Sequence, residues 1–136
     1  MKITLTTLVL IHLITILWHG DAHTILEIDL PVFKDLFVYV VILAGPIVGT
    51  TLMWTRFSAL GTGLVALSMV GALVFGTYHH YILVSPDNIA HLPSGADNAH
   101  AQFINSAALI AIIELVSTLI GFFALGQARA AKPRLA

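Results

Sequence analysis

The residues in this sequence with the most to say about chemistry are its histidines. The chain of 136 residues holds seven of them and no cysteine, so disulfide and thiolate chemistry are excluded and any metal must be held by imidazole, carboxylate or carbonyl groups. His19 and His23 stand four residues apart, the spacing at which two imidazoles on one helical turn grip a single ion. His79 and His80 are adjacent, His91 and His100 follow a Ser-Pro-Asp-Asn run at 85–88, and His12 stands alone. Asp21, Asp87 and Asp97 lie near enough in sequence to serve as further ligands or as acceptors that fix an imidazole tautomer. Such a donor set suits Zn, Cu, Fe or Mn, or a haem iron.

The elements that must position these groups are read from composition. Apolar residues make up 58% of the chain, charged ones 10%, and the mean hydropathy is +0.95. A soluble domain carries roughly 25% charged residues, so the bilayer is the solvent in which this chain folds. A formal net charge of -1 offers no basic patch, which excludes nucleic-acid binding. Apolar runs place membrane spans at approximately 3–22, 36–54, 60–78 and 98–125, with an outer lid at 81–97 and a tail at 127–136. The reading is one all-α integral membrane domain over 1–136, a bundle of four transmembrane helices. The first span reaches full length only by continuing through Gly20 and Ala22, and Gly20-Asp21-Ala22 also resembles a signal-peptide cleavage site. Retention as a true span is the reading adopted, with cleavage as its rival.

Charge sets the orientation. Lys2, Arg56, Arg129, Lys132 and Arg134 fall on one side of a four-span topology, while Asp21, Glu27, Asp29, Asp35, Asp87 and Asp97 share the other with Lys34. Lys and Arg next to short loops stay cytoplasmic, so both termini are expected in the cytoplasm of a bacterial-type inner membrane. Every histidine except His12 then lies at the extracytoplasmic face. In the loop after the third span, Ser85-Pro86 carries a helix-start signature, which predicts a short helix through His91 ended by Pro93, forming a lid.

Helical phase selects among these histidines. Residues 7 or 11 apart return to nearly one face, which puts His12, His19 and His23 on one stripe with Thr15. It puts His79 with Gly61, Ser68 and Ala72, and His100 with Ala107, Ala111 and Thr118. Small residues mark faces that pack against other helices, so the expected metal ligands are His19, His23, His79 and His100, with His80, His91 and Asp87 as alternates. Gly45 and Gly49 form a Gly-x-x-x-Gly pair, and Pro46 is expected to distort the second span.

Glu114 sits mid-span in the fourth helix and His12 mid-span in the first, at matching depth if the two are antiparallel neighbours. A carboxylate at such depth costs about 2.5 to 3.5 kcal/mol, and a His12–Glu114 hydrogen bond is the simplest relief. The pair reads as a polar clamp between helices, with a proton relay as the functional alternative.

His19-x-x-x-His23 and His79-His80 resemble the histidine boxes of membrane desaturases and hydroxylases. Those enzymes carry more histidines, in repeated boxes, on the cytoplasmic face. Four-helix cytochromes are similar in span number but stack His pairs across both leaflets, and no family is assigned. The leading expectation is a small membrane protein whose outer face binds a transition metal or haem iron, as a redox or metal-handling component. A non-catalytic accessory subunit packed against other membrane subunits or its own copies, and a proton-coupled carrier using Glu114, are the alternatives.

Overall fold

In a computed structural model, which describes residues 1–130, the chain forms four long helices and no strand among those residues. Helix α1 spans Lys2–Ile25, α2 Val32–Met53, α3 Ser58–Ile82 and α4 Asp97–Ala130. All four are long and apolar enough to cross a membrane. α1 runs unbroken through Gly20-Asp21-Ala22, with Ala22 fully buried. The expected tail from 127 begins as a continuation of α4, and residues 131–136, with Lys132 and Arg134, lie outside the described part.

The distribution of side chains is inverted relative to a water-soluble bundle. Ile14 and Leu17 on α1, Leu67 on α3 and Leu119 on α4 are each more than 60% exposed, whereas His12, His19, Ser106, Glu114 and Ser117 are buried. Apolar side chains can cover a surface this way only where the surroundings are as apolar as they are. Around the bundle α1 packs on α4, α4 on α3 and α3 on α2, while α1 meets α2 mainly along the Gly45–Met53 half of α2. The seam between α1 and the first half of α2 is therefore open.

The small residues are consumed inside this bundle. A side-chain carbon on Gly49 would lie 2.8 Å from the Val65 backbone nitrogen, and one on Gly61 would collide with the backbones of Met53 and Gly49. One on Gly121 would lie 2.8 Å from Ala66 Cβ. These close approaches join α2 to α3 and α3 to α4. Two apolar clusters hold the ends: Leu5, Val9, Met53, Val65 and Met69 at one, and Ala22, Leu26, Ile28, Ala99 and Phe103 at the other.

Three departures from regular helix matter for the site. First, α2 widens to π-helix over Val38–Ala44, just before Pro46. Proline brings no N–H and its ring crowds the carbonyl four residues back, so pairing one residue further along relieves the clash. Second, α3 ends in a π-helical turn over Tyr78–Ile82. Third, α1 closes with the Glu27 N–H bonded to the Thr24 carbonyl and the Ile28 N–H to the His23 carbonyl, the Schellman pattern. Glu27 occupies the left-handed position at φ 51° where glycine is usual.

The connection from α3 to α4 differs from expectation. No helix forms through His91; residues 83–96 run as turns and bends. Asn88 explains it, since its side-chain oxygen accepts from the Ala90 N–H and its amide donates to the Leu83 carbonyl. These local bonds take backbone groups that a helix would need.

Candidate metal centre

Three imidazoles meet at the end of the bundle formed by the last turns of α1 and α3. One ring nitrogen from each of His19, His23 and His80 lies within 4.8 Å of the other two. His19 and His23 are brought together by their spacing of four on α1. Their Nε2 atoms are 3.2 Å apart, close to the separation of about 3.3 Å that two nitrogens adopt when bound tetrahedrally at about 2.0 to 2.1 Å from zinc.

The other nitrogen of each ring is held by a neighbour. Ser106 Oγ lies 2.8 Å from His19 Nδ1 and 2.6 Å from the Gln102 carbonyl, so a hydroxyl proton turned to the carbonyl leaves its oxygen to accept from His19 Nδ1–H. His23 Nδ1–H donates to the Ile28 carbonyl at 3.4 Å, which the Schellman turn brings back over α1. His80 Nδ1–H donates to the Asp87 carbonyl at 2.9 Å. The carbonyl partners require the proton on Nδ1 of His23 and His80, which leaves their Nε2 lone pairs free, and His19 reaches the same state when Ser106 accepts from its Nδ1. Imidazoles that bind metal are oriented by just such bonds on the distal nitrogen. Phe103, completely buried, packs its ring 4.6 Å from His19, 5.1 Å from His23 and 5.3 Å from His80, centroid to centroid.

Asp87 lies beside the cluster. Its side chain is buried, and Oδ1 lies 3.3 Å from His23 Nε2 and 3.2 Å from His80 Nδ1. Neither approach has the alignment of a hydrogen bond, and Oδ1 has no other partner. Burial by itself pushes the Asp87 carboxyl up, but the surrounding His80, His23 and His19 rings outweigh it and hold the group below the usual carboxylate range.

The remaining histidines lie elsewhere. His79 is buried against Phe75, and its Nδ1 accepts from Lys34 Nζ at 3.2 Å. His100 donates from Nε2 to the Pro93 carbonyl at 2.8 Å, and His91 is exposed. The exchange of His80 for His79 follows from the π-helical turn at 78–82. Pairing to the fifth residue puts an extra residue into the turn, so side chains there fall behind the α-helical phase. Asp21 accepts from the Gln102 amide at 3.0 Å and lies on the outside of the bundle, and Asp97 stands exposed in the first turn of α4. Ser106 and Phe103 escape sequence reasoning, although Ser106 shares with Gln102 and Phe103 the α4 turn that faces His19 on α1.

Beneath the imidazoles a cavity of about 490 Å³ runs down between α1 and the first half of α2. His19, His23, His80 and Asp87 line its upper part, Ile16, Ile42 and Phe75 its apolar walls, and Glu114 also reaches it. Glu114 Oε1 and His12 Nε2 are 3.0 Å apart, both residues buried. Comparison with protein families, with curated proteins and with solved structures gives no match to this chain.

Proposed function

We propose that this is a small integral membrane protein that binds one transition-metal ion through His19, His23 and His80, with Asp87 as the fourth ligand. The observation that carries the reading is the convergence of one ring nitrogen from each of His19, His23 and His80 within 4.8 Å of the others, with the Nε2 atoms of His19 and His23 3.2 Å apart. A single ion between them would take one nitrogen from each of the three rings, and the unpartnered Oδ1 of Asp87, 3.3 Å from His23 Nε2, is the nearest candidate for a fourth ligand. Three imidazoles and one carboxylate, with no thiolate, favour Zn over softer-ligand ions.

The positive-inside bias supports placing both termini in the cytoplasm, which puts the site at the extracytoplasmic surface. The test is elemental analysis of the protein purified in detergent and loaded with zinc. One ion per chain is expected, with loss of that ion in His19→Ala, His23→Ala and His80→Ala variants that keep their helical content. Retention of the ion in all three would overturn the assignment.

A further inference from the structure

Glu114 is not used by the metal site, yet its position is hard to account for as a clamp alone. A clamp that only ties two helices together is best when every polar atom in it is satisfied. Here His12 Nδ1 is fully buried and has no partner, and one turn further along α4 the hydroxyls of Ser117 and Thr118 are also buried without partners. On its other side Glu114 borders the cavity that rises to the imidazoles. The carboxyl thus stands between a wettable space and a half-satisfied polar pocket.

We propose that Glu114 is a proton-exchange site served by this cavity. In the loaded state the second carboxyl oxygen of Glu114 carries the proton while His12 Nε2–H donates to Oε1 across the contact of 3.0 Å, and the pair is neutral as a whole. In the unloaded state His12 Nε2–H donates to the ionised carboxylate, and the pair carries one negative charge. Loading breaks one O–H bond of a hydronium ion in the cavity, forms one between that proton and Glu114, and leaves water. Unloading reverses it. An unloaded charge at this depth is costly, so the step needs water at the carboxyl, and the cavity that Glu114 shares with His19, His23 and His80 is the space that can hold it.

Several other groups face this site. Towards the cavity they are His19 and His23 from α1 and His80 from α3. Asp35 and Tyr39 lie on the α2 wall, and Asp29 and Asp87 come from the connections. Behind Glu114 stands His12, and no other charged group of α4 lines the space. All the groups facing the carboxyl through the cavity lie toward the imidazole-bearing end of the bundle, the end from which exchange is expected.

The experiment is infrared difference spectroscopy on metal-free, chelator-treated protein in lipid, which makes the outcome independent of the metal reading. The carbonyl stretch of a protonated carboxyl that is lost in Glu114→Gln reports Glu114. The wild type is expected to show that band, to shift it promptly in D₂O, and to lose it in Glu114→Gln. Gly20 lines the cavity and has open space around it, so Gly20→Phe fills the route without disturbing either carboxyl partner. It is expected to slow the D₂O shift by at least about tenfold, the factor that 1.4 kcal/mol of added barrier gives. Leu43→Trp, on the α2 wall, serves the same purpose if Gly20→Phe folds poorly. Glu114→Asp, expected to keep a displaced band, stands in if Glu114→Gln does. Absence of the band in the wild type, its persistence in Glu114→Gln, or unchanged exchange in the filled variants would each overturn the proposal.

Discussion

Ser106→Ala is the substitution that tests the logic of the site without touching a ligand. Ser106 is completely buried, so the change removes one oxygen and little volume. It removes the hydrogen-bond partner of His19 Nδ1, a hydroxyl at 2.8 Å that also lies 2.6 Å from the Gln102 carbonyl. Two costs follow. The buried N–H loses its partner, worth about 1 to 3 kcal/mol, and the ring is free to carry its proton on Nε2, which abolishes the lone pair that binds metal. At about 1.4 kcal/mol per tenfold, the expected loss of zinc affinity is roughly 10- to 100-fold, the range seen when such orienting partners are removed elsewhere. The assay is competition against a chromophoric chelator at fixed pH in detergent. Ser117→Ala is the control, because that hydroxyl is equally buried on the same helix but has no partner. Unchanged affinity in a folded Ser106→Ala protein, or an equal loss in Ser117→Ala, would refute the reasoning.

Other consequences are as direct. His79→Ala and His100→Ala should keep zinc, because those rings are engaged by Lys34 and by the Pro93 carbonyl, whereas His80→Ala should lose it; parallel metal titrations of the three variants decide between them. Zinc at a hundredfold excess over its dissociation constant should stabilise the wild type by about 2.7 kcal/mol, read as a shift in the denaturation midpoint that vanishes in His80→Ala. Glu27→Gly should stabilise the metal-free protein by roughly 0.5 to 1 kcal/mol, because a left-handed backbone costs a side-chain-bearing residue about 1 to 2 kcal/mol and the greater unfolded-state freedom of glycine offsets about 0.4 to 1 of it. An unchanged or lower midpoint would show that Glu27 is not strained.

Much of this arrangement is legible in the sequence because it depends on counting along regular helices. The inward stripe of His12, Thr15 and His19 follows from spacing alone, and all three are buried on one face of α1. The meeting of His12 with Glu114 follows from equal depth in antiparallel neighbours. The choice between His79 and His80 does not follow from such counting, because Tyr78-His79-His80-Tyr81 carries no local mark of the π-helical turn that resets the phase. Pro46 does mark the π-helical stretch in α2, since its missing N–H is written in the sequence. The turn that lays Asp87 over the imidazoles depends on side-chain bonds from Asn88 that override the helix-start signature of Ser85-Pro86. Ser106 and Phe103 look like ordinary packing residues until their partners across α1 and α3 are known.

The central claim is that His19, His23 and His80 hold one metal ion, and X-ray absorption at the zinc edge of the loaded protein tests it most directly. Three imidazole nitrogens at about 2.0 to 2.1 Å with one oxygen neighbour are expected, falling to two imidazoles or to no bound zinc in His80→Ala. A first shell of oxygen alone, or a three-imidazole shell that survives His80→Ala, would contradict it.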